Sequence, residues 1–291
     1  MVKELVAVAS LERGDIVARH SHKLDVIFKI VDLFKKDGKD YAILKGIDFR
    51  LVCDAPVEDL VKIKPEDIAN HWRQVFTRNN DCVRRSLSRR QNNQQCLRNG
   101  KEIQTFAVPG TVLHIDGDQD YLELCLTTYK QLGVPANGYV FPEEKHAGML
   151  QELLPKHLPN ILVTTGHDGF IPGKRDFKDI KSYRNSSHFV NAVKSARAFE
   201  HNRDSLVIFA GACQSHYEAL LQAGANFASS PERVLIHAFD PVFIVERVAY
   251  TPVSEAVSLK EVIEHTITGY PGIGGVETRG CFRQGVPKSP Y

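Results

Sequence analysis

Short β-branched runs separated by turn residues occupy the first 63 positions: Leu5 to Val8, Asp15 to Ala18, Val26 to Leu33, Tyr41 to Leu44, Arg50 to Cys53 and Leu60 to Ile63. Strands this short and this closely spaced predict a small β-barrel domain over residues 1–63. A tight turn at Arg13-Gly14-Asp15 suits an SH3-like module. Pro65, at a first helical position and followed by Glu66, Asp67 and the run Ile68 to Val75, opens a helix that can continue for some thirty residues, giving a basic helical linker over 64–104.

From Val108 onward the pattern changes to apolar runs alternating with amphipathic, helix-length segments, which predicts βα units around a mostly parallel sheet in a domain over residues 105–291. Thr111 to Ile115, Gly138 to Phe141, Ile161 to Thr165 and Ser205 to Ala210 read as its first four strands. Helices are expected over Tyr121 to Leu132, Glu143 to Leu154 (closed by Pro155), Ser187 to Glu200 and Ser215 to Gln222. Further strands are expected near 233–238 and 242–249. The fold class is therefore α/β: a small β-barrel, a helical linker, and a larger domain with helices on a mostly parallel sheet.

Composition narrows the classes. With 43% hydrophobic and 25% charged residues the chain has the profile of a folded globular protein. A net charge of +2 gives no overall field toward nucleic acid or anionic lipid. No apolar run approaches the roughly 18 residues that span a bilayer, and the first fifteen residues do not form a secretory leader, so an intracellular, cytoplasmic protein with no membrane partner is expected. Cys53, Cys82, Cys96, Cys125, Cys213 and Cys281 contain no CxxC pair and read as free thiols. With His114, His157, His237 and His265 isolated as well, no metal site and no cofactor are expected. The one basic block, Arg73 to Lys101, carries Arg84-Arg85 and Arg89-Arg90 against only Asp81. A solvated helix or linker is favoured there over a nucleic-acid contact, because aromatic stacking residues are absent beyond Trp72 and Phe76.

Reactive groups in an open parallel sheet belong at the carboxyl ends of the strands. His167 follows the apolar run ILVTTG and Cys213 follows LVIFAGA, so one edge of the sheet presents an imidazole and a thiol. A thiol near a helix amino terminus and an imidazolium gains thiolate character, which a cysteine nucleophile needs. Gly169 and Gly211 leave room for backbone donors, and the amide of Cys213 with that of Asp168 or Gly169 is expected to form an oxyanion hole. Taken singly, each residue has a plainer reading, Cys213 as a small buried hydrophobe and His167 as a hydrogen-bonded loop residue; the pairing favours chemistry. Ser215 and His216 read as capping and surface residues, since no G-x-S-x-G elbow surrounds them. GIGGVETRG, residues 272–280, reads as a loop lining the sheet edge, because no Lys-Ser/Thr follows to complete a phosphate cradle.

An apolar block ending in His-Asp-Gly followed by one ending in Ala-Cys resembles the caspase, legumain and clostripain class of cysteine peptidases. The segments TTGHDGF, FAGACQSHYEALLQAGANF and GIGGVETRGCF, with the small β region before them, make the whole chain resemble the YabG family of sporulation-specific proteases. That resemblance implies a caspase-like peptidase domain. It also implies a cysteine endopeptidase that acts during sporulation on spore coat or related spore proteins, in the mother-cell cytoplasm or associated with the coat, without a metal. The class usually has Gly directly after its histidine, where this chain has Asp168, which reads as shaping the loop rather than orienting the imidazole, since adjacent side chains on an extended segment point apart. The class also often places a residue that reads the side chain before the cut bond at the end of strand one. Here that place holds Asp116-Gly117-Asp118, and a carboxylate there would select arginine. Asp116 and Asp118 read equally well as turn or helix-capping residues. Arginyl specificity would make Arg84, Arg85, Arg89 and Arg90 expected self-cleavage positions. A non-enzymatic protein binding nucleic acid or a spore protein through the barrel and basic segment is the alternative, and a homo-oligomer is compatible with either.

Overall fold

A computed structural model describes residues 11–96, 105–174 and 176–289. The expected strand Leu5 to Val8 lies outside these. The chain divides into two compact units, the first up to Asp48 plus Val52–Gln74, the second Phe49–Leu51 plus everything from Val75.

The first unit is an antiparallel sheet of β1 (Ile16–Arg19), β2 (Ile27–Lys36), β3 (Lys39–Gly46), β4 (Val52–Pro56) and β5 (Leu60–Lys62), in the order β4-β3-β2-β1-β5. Alternation along the strands points Val17, Phe28, Ile30, Ala42, Leu44 and Ala55 inward, where they are buried. A single 3₁₀ turn, Val57–Asp59, separates β4 from β5. Asp59 in that turn accepts from Arg19 Nε (2.9 Å), from the Ser21 amide (2.7 Å) and from Ser21 Oγ (2.7 Å), fastening the end of β1.

Helix α1 (Pro65–Cys96) begins at the expected proline and runs without a break. Two of its arginines in the second unit have packing roles. Arg89 and Arg90 lie 3.1 and 3.4 Å from the buried carboxylate of Glu246, and the Arg90 guanidinium stacks 3.8 Å from the Tyr250 ring centre.

In the second unit β6 (Phe106–Val108) leads to the six-stranded sheet formed by β7 (Val112–Asp116), β8 (Ala136–Val140), β9 (Ile161–Thr165), β10 (Val207–Ala210), β11 (Phe227–Ser229) and β12 (Ile273–Gly275). Their order is β12-β11-β10-β9-β7-β8, all parallel except β12, while β13 (Arg283–Gly285) pairs with β6. Every residue of β7, β9 and β10 is buried, as expected of central strands covered on both faces. The helices are α2 (Gln119–Gln131), α3 (His146–His157), α4 (Ser186–Phe199), α5 (Tyr217–Ala223), α6 (Asp240–Tyr250) and α7 (Leu259–Glu264). α3, α4 and α5 pack together, and α2 packs with α6. Among the described residues no helix is long and apolar enough to cross a membrane.

Three local expectations are corrected. Residues 242–249 form most of helix α6, not a strand: eight of the residues from Pro241 to Ala249 are buried, on every face, so no period marks the run as helical. Residues 233–238 form no ladder strand; their pairing is an isolated bridge from His237 to Phe49. Pro155 lies inside α3, which ends at Leu158 in a left-handed conformation (φ 44°). A proline in the last turn removes only one helical hydrogen bond and leaves the preceding turns intact. The glycine-rich segment at 272–280 does line the sheet edge, as the antiparallel strand β12.

Candidate active site

Strands β9 and β10 run side by side with Thr164 opposite Ala210, so the loops that follow them, Gly166–Gly169 and Gly211–His216, emerge together at one edge. On the other side of β9, the end of β7 brings Asp116 opposite Thr165. The strand order reverses between β7 and β9, which is where a doubly wound sheet opens its crevice.

The Cys213 loop is set by Gly211, whose φ of +107° and lack of a Cβ are both needed, because a Cβ would stand 2.8 Å from Leu220 Cδ1. The amides of this loop are almost all bonded. Gly211 donates to Thr164 O, Ala212 to Ser215 Oγ, Gln214 to Val234 O, Ser215 to Ala212 O and His216 to Ser186 Oγ. Among the described residues the Cys213 N–H has no acceptor, and in the neighbouring loop neither has the Asp168 N–H. Gly169 differs: its N–H donates to Asp168 Oδ1 at 2.8 Å. The Cys213 side chain is buried, and its sulfur accepts the Ile236 N–H at 3.1 Å. Burial pushes the thiol up to about 12, against the Ile236 N–H and the Arg50 guanidinium and main chain, which draw it down.

His167 stands between two carboxylates. Its Nε2 is 3.3 Å from Asp118 Oδ2, its Nδ1 is 3.7 Å from Glu143 Oε1, and its amide donates to the same Glu143 oxygen at 2.8 Å. A Cβ at Gly166 would collide with the Glu143 carboxylate, so glycine at that position admits the acid. Burial disfavours the imidazolium, but the two carboxylates outweigh it and raise the His167 pKa above its ordinary value. The Tyr121 ring lies 5.5 Å from the imidazole, tilted against it. Thiol and imidazole are not hydrogen-bonded to each other here; the thiol's partner is Ile236.

Asp168 does not orient the imidazole. Its carboxylate accepts from the amides of Gly169 and Asn185 and from the hydroxyls of Ser186 and Ser215, all between 2.5 and 2.8 Å. It thereby ties the His167 loop, the start of α4 and the Cys213 loop together. Ser215 is thus fully buried and His216 nearly so, and neither is the surface residue expected; His216 does cap α5, its Nδ1 accepting from Ala219 N. Arg84 and Arg85 stand on continuous helix, and Arg89 and Arg90 are held by Glu246, whereas a peptidase takes its substrate extended.

Asp116 and Asp118, read from sequence either as one substrate pocket or as turn and capping residues, do different things. Asp118 caps α2, accepting from Asp120 N and Tyr121 N, and flanks His167. Asp116 is completely buried and takes a guanidinium nitrogen of Arg50 at 2.6 Å, the Thr165 hydroxyl at 2.8 Å and the Asp118 amide at 3.0 Å. The Arg50 charge overcomes burial and holds the Asp116 carboxyl far below the usual range. The sequence reading missed Arg50, which it assigned to a strand, and Tyr121. It also missed Glu143, although an acid directly following β8 at the carboxyl edge was a usable signal.

Residues 12–287 match the sequence model of the YabG peptidase U57 family. The chain is also 43% identical over 285 residues to the sporulation-specific protease YabG of Bacillus subtilis (strain 168), an alignment covering 94% of this chain and 97% of that protein. No solved structure matches.

Proposed function

Because this chain belongs to the YabG peptidase family, we propose that it is a cysteine endopeptidase that acts during sporulation on spore coat or related spore proteins and cuts after arginine. The observation that carries this is the pairing of β9 with β10. It brings Cys213 and His167 to one edge of the sheet, with the Cys213 and Asp168 amides left without acceptors beside them.

In this reading the Cys213 thiol gives up its proton to solvent and the sulfur attacks the carbonyl carbon before the cut bond. The free amides of Cys213 and Asp168 stabilise the oxyanion, and Gly169, its N–H already committed, takes no part. The carboxylates of Asp118 and Glu143 favour the protonated ring of His167, which delivers a proton to the departing amine. Water then hydrolyses the thioester and restores the thiol. Asp116, buried at the carboxyl end of β7, forms the base of the arginine pocket, and Asp118 is a positioning residue. The strand order of the larger sheet supports a caspase-like fold. The order β4-β3-β2-β1-β5, with the 3₁₀ turn before β5, supports an SH3-like first unit. A mother-cell location with coat association follows from the substrates proposed.

Purified chain and its Cys213→Ala variant, incubated with arginine-containing coat-like peptides, test the reading by mass spectrometry of the products. Cuts after arginine by the first, reduced roughly 10³-fold or more in the second, are expected. Equal cleavage by both, or cuts with no preference for arginine, would overturn it.

A further inference from the structure

The two amides without acceptors beside the thiol and the imidazole belong to the peptide units Ala212–Cys213 and His167–Asp168. Both units are trans, so each N–H points opposite to the carbonyl of its own unit. Both carbonyls are tied. Ala212 O accepts the Ser215 N–H at 3.4 Å, and His167 O accepts from Asn185 Nδ2 at 2.8 Å. Anchoring a carbonyl fixes the direction of the N–H across the same plane, so these two ties decide where the free donors aim. Asn185 stands at the amino end of α4, where its side chain would ordinarily cap the helix, yet it makes no cap and is turned to His167 O instead.

One side chain lies behind both ties. The Asp168 carboxylate is 2% exposed, and its two oxygens have separate tasks. Oδ2 accepts the Ser215 hydroxyl at 2.8 Å and the Ser186 hydroxyl at 2.5 Å. Each hydroxyl in turn accepts a main-chain amide of the Cys213 loop. Ser215 Oγ takes the Ala212 N–H at 2.9 Å, just before the cysteine, and Ser186 Oγ takes the His216 N–H at 2.8 Å, just beyond it. A hydroxyl has one proton to give, and an ionised carboxylate only accepts, so Asp168 sets the direction of both relays. Oδ1 accepts the amides of Gly169 and Asn185, both at 2.8 Å, which seats Asn185 where its side chain meets His167 O. These bonds reach neither the sulfur nor the imidazole; they end on the main chain that brackets each free donor.

We infer that Asp168, acting through Ser186, Ser215 and Asn185, is the positioning residue of the oxyanion hole: its side chain holds the loop that carries one donor while its own main chain supplies the other. This rests on the proposed cysteine chemistry and adds the group that sets its geometry. Losing a tie leaves thiol and imidazole in place and turns an N–H away from the developing oxyanion, an interaction made in the transition state and not in the bound substrate. The loss therefore falls on turnover and spares substrate binding.

Asp168→Ala, Ser215→Ala and Asn185→Ala are compared with the parent in three measurements: kcat and KM on an arginyl peptide, inhibition by the matching peptide aldehyde, and alkylation of Cys213 by iodoacetamide. The aldehyde forms a tetrahedral adduct with the sulfur and so draws on the oxyanion donors, whereas alkylation needs the thiol alone. The expected result is kcat reduced roughly 10–10²-fold with KM changed less than about threefold, the aldehyde inhibition constant raised by a similar factor, and an alkylation rate within about threefold of the parent. Circular dichroism checks folding. Asn185→Ala keeps the main-chain amide that Asp168 accepts, so all four bonds to the carboxylate survive in it, and it decides the matter should Asp168→Ala not fold. A merely structural clamp would lower turnover and alkylation together. Asn185→Ala and Ser215→Ala variants that keep the parent's kcat and aldehyde affinity, or that lose alkylation in step with turnover, overturn the positioning role and leave the proposed activity standing. A parent that cleaves no arginyl peptide through Cys213 overturns both.

Discussion

At the scale of single residues, His167 depends on its flanking acids. Both Asp118 and Glu143 favour the charged ring, so Glu143→Gln lowers the His167 pKa toward the value of a free histidine. In the proposed mechanism the protonated ring is the form that protonates the leaving amine, so the alkaline limb of the kcat/KM profile is expected to move to lower pH in this variant, which a pH series on an arginyl peptide reads directly. The raised pKa also contributes stability below the free-histidine value, lost as pH climbs through the folded-state value, and the substitution shrinks that contribution. Ser215 has a different weight. Its hydroxyl donates to Asp168 and accepts the Ala212 amide, both buried. Ser215→Ala leaves a donor and a lone pair unmatched and is expected to cost about 1–3 kcal/mol in denaturant unfolding.

At the scale of elements, the two loops proposed to carry the chemistry leave strands that are paired on both sides. Gly211→Ala places a Cβ against Leu220 and forces an L-residue to φ +107°, so a loss of about 1–3 kcal/mol is expected in thermal or denaturant melts, with activity falling alongside. In the first unit Asp59 is the comparable clamp. Burial alone would raise its pKa, but the hydrogen bonds from Ser21 and Arg19 bring it down to about 2. Its contribution is therefore present above the unfolded carboxyl value and disappears as pH falls toward about 2. Asp59→Asn should remove that part of the acid dependence, followed by circular dichroism across an acid series. β9 and β10 were legible because fully buried strands leave uninterrupted apolar runs that stop at glycine. α6 was not legible for the mirror reason: a helix buried on every face has no polar stripe to set its period.

At the scale of the molecule, sequence marks what is local and hides what is distant. That Cys213 and His167 come to one edge of the sheet could be read because each ends an apolar run, and parallel strands gather such ends on one edge. Arg50 could not, since its partner Asp116 lies 66 positions away and its own neighbours have the β-branched texture of a strand. Asp168 was legible as a loop residue but not as the tie among three segments, which only the packed loops reveal. The ladders of the first unit carry a last consequence. β3 precedes Arg50 and β4 follows it, yet the two are paired from Tyr41 with Pro56 to Lys45 with Val52. β1 and β5, also on opposite sides, are paired from Val17 with Lys62 to Arg19 with Leu60. A chain cut once between Gly46 and Val52 by an added protease should therefore elute as one species in gel filtration and part into two polypeptides only under denaturing electrophoresis, the severed halves clasped by main-chain bonds that the cut never touches.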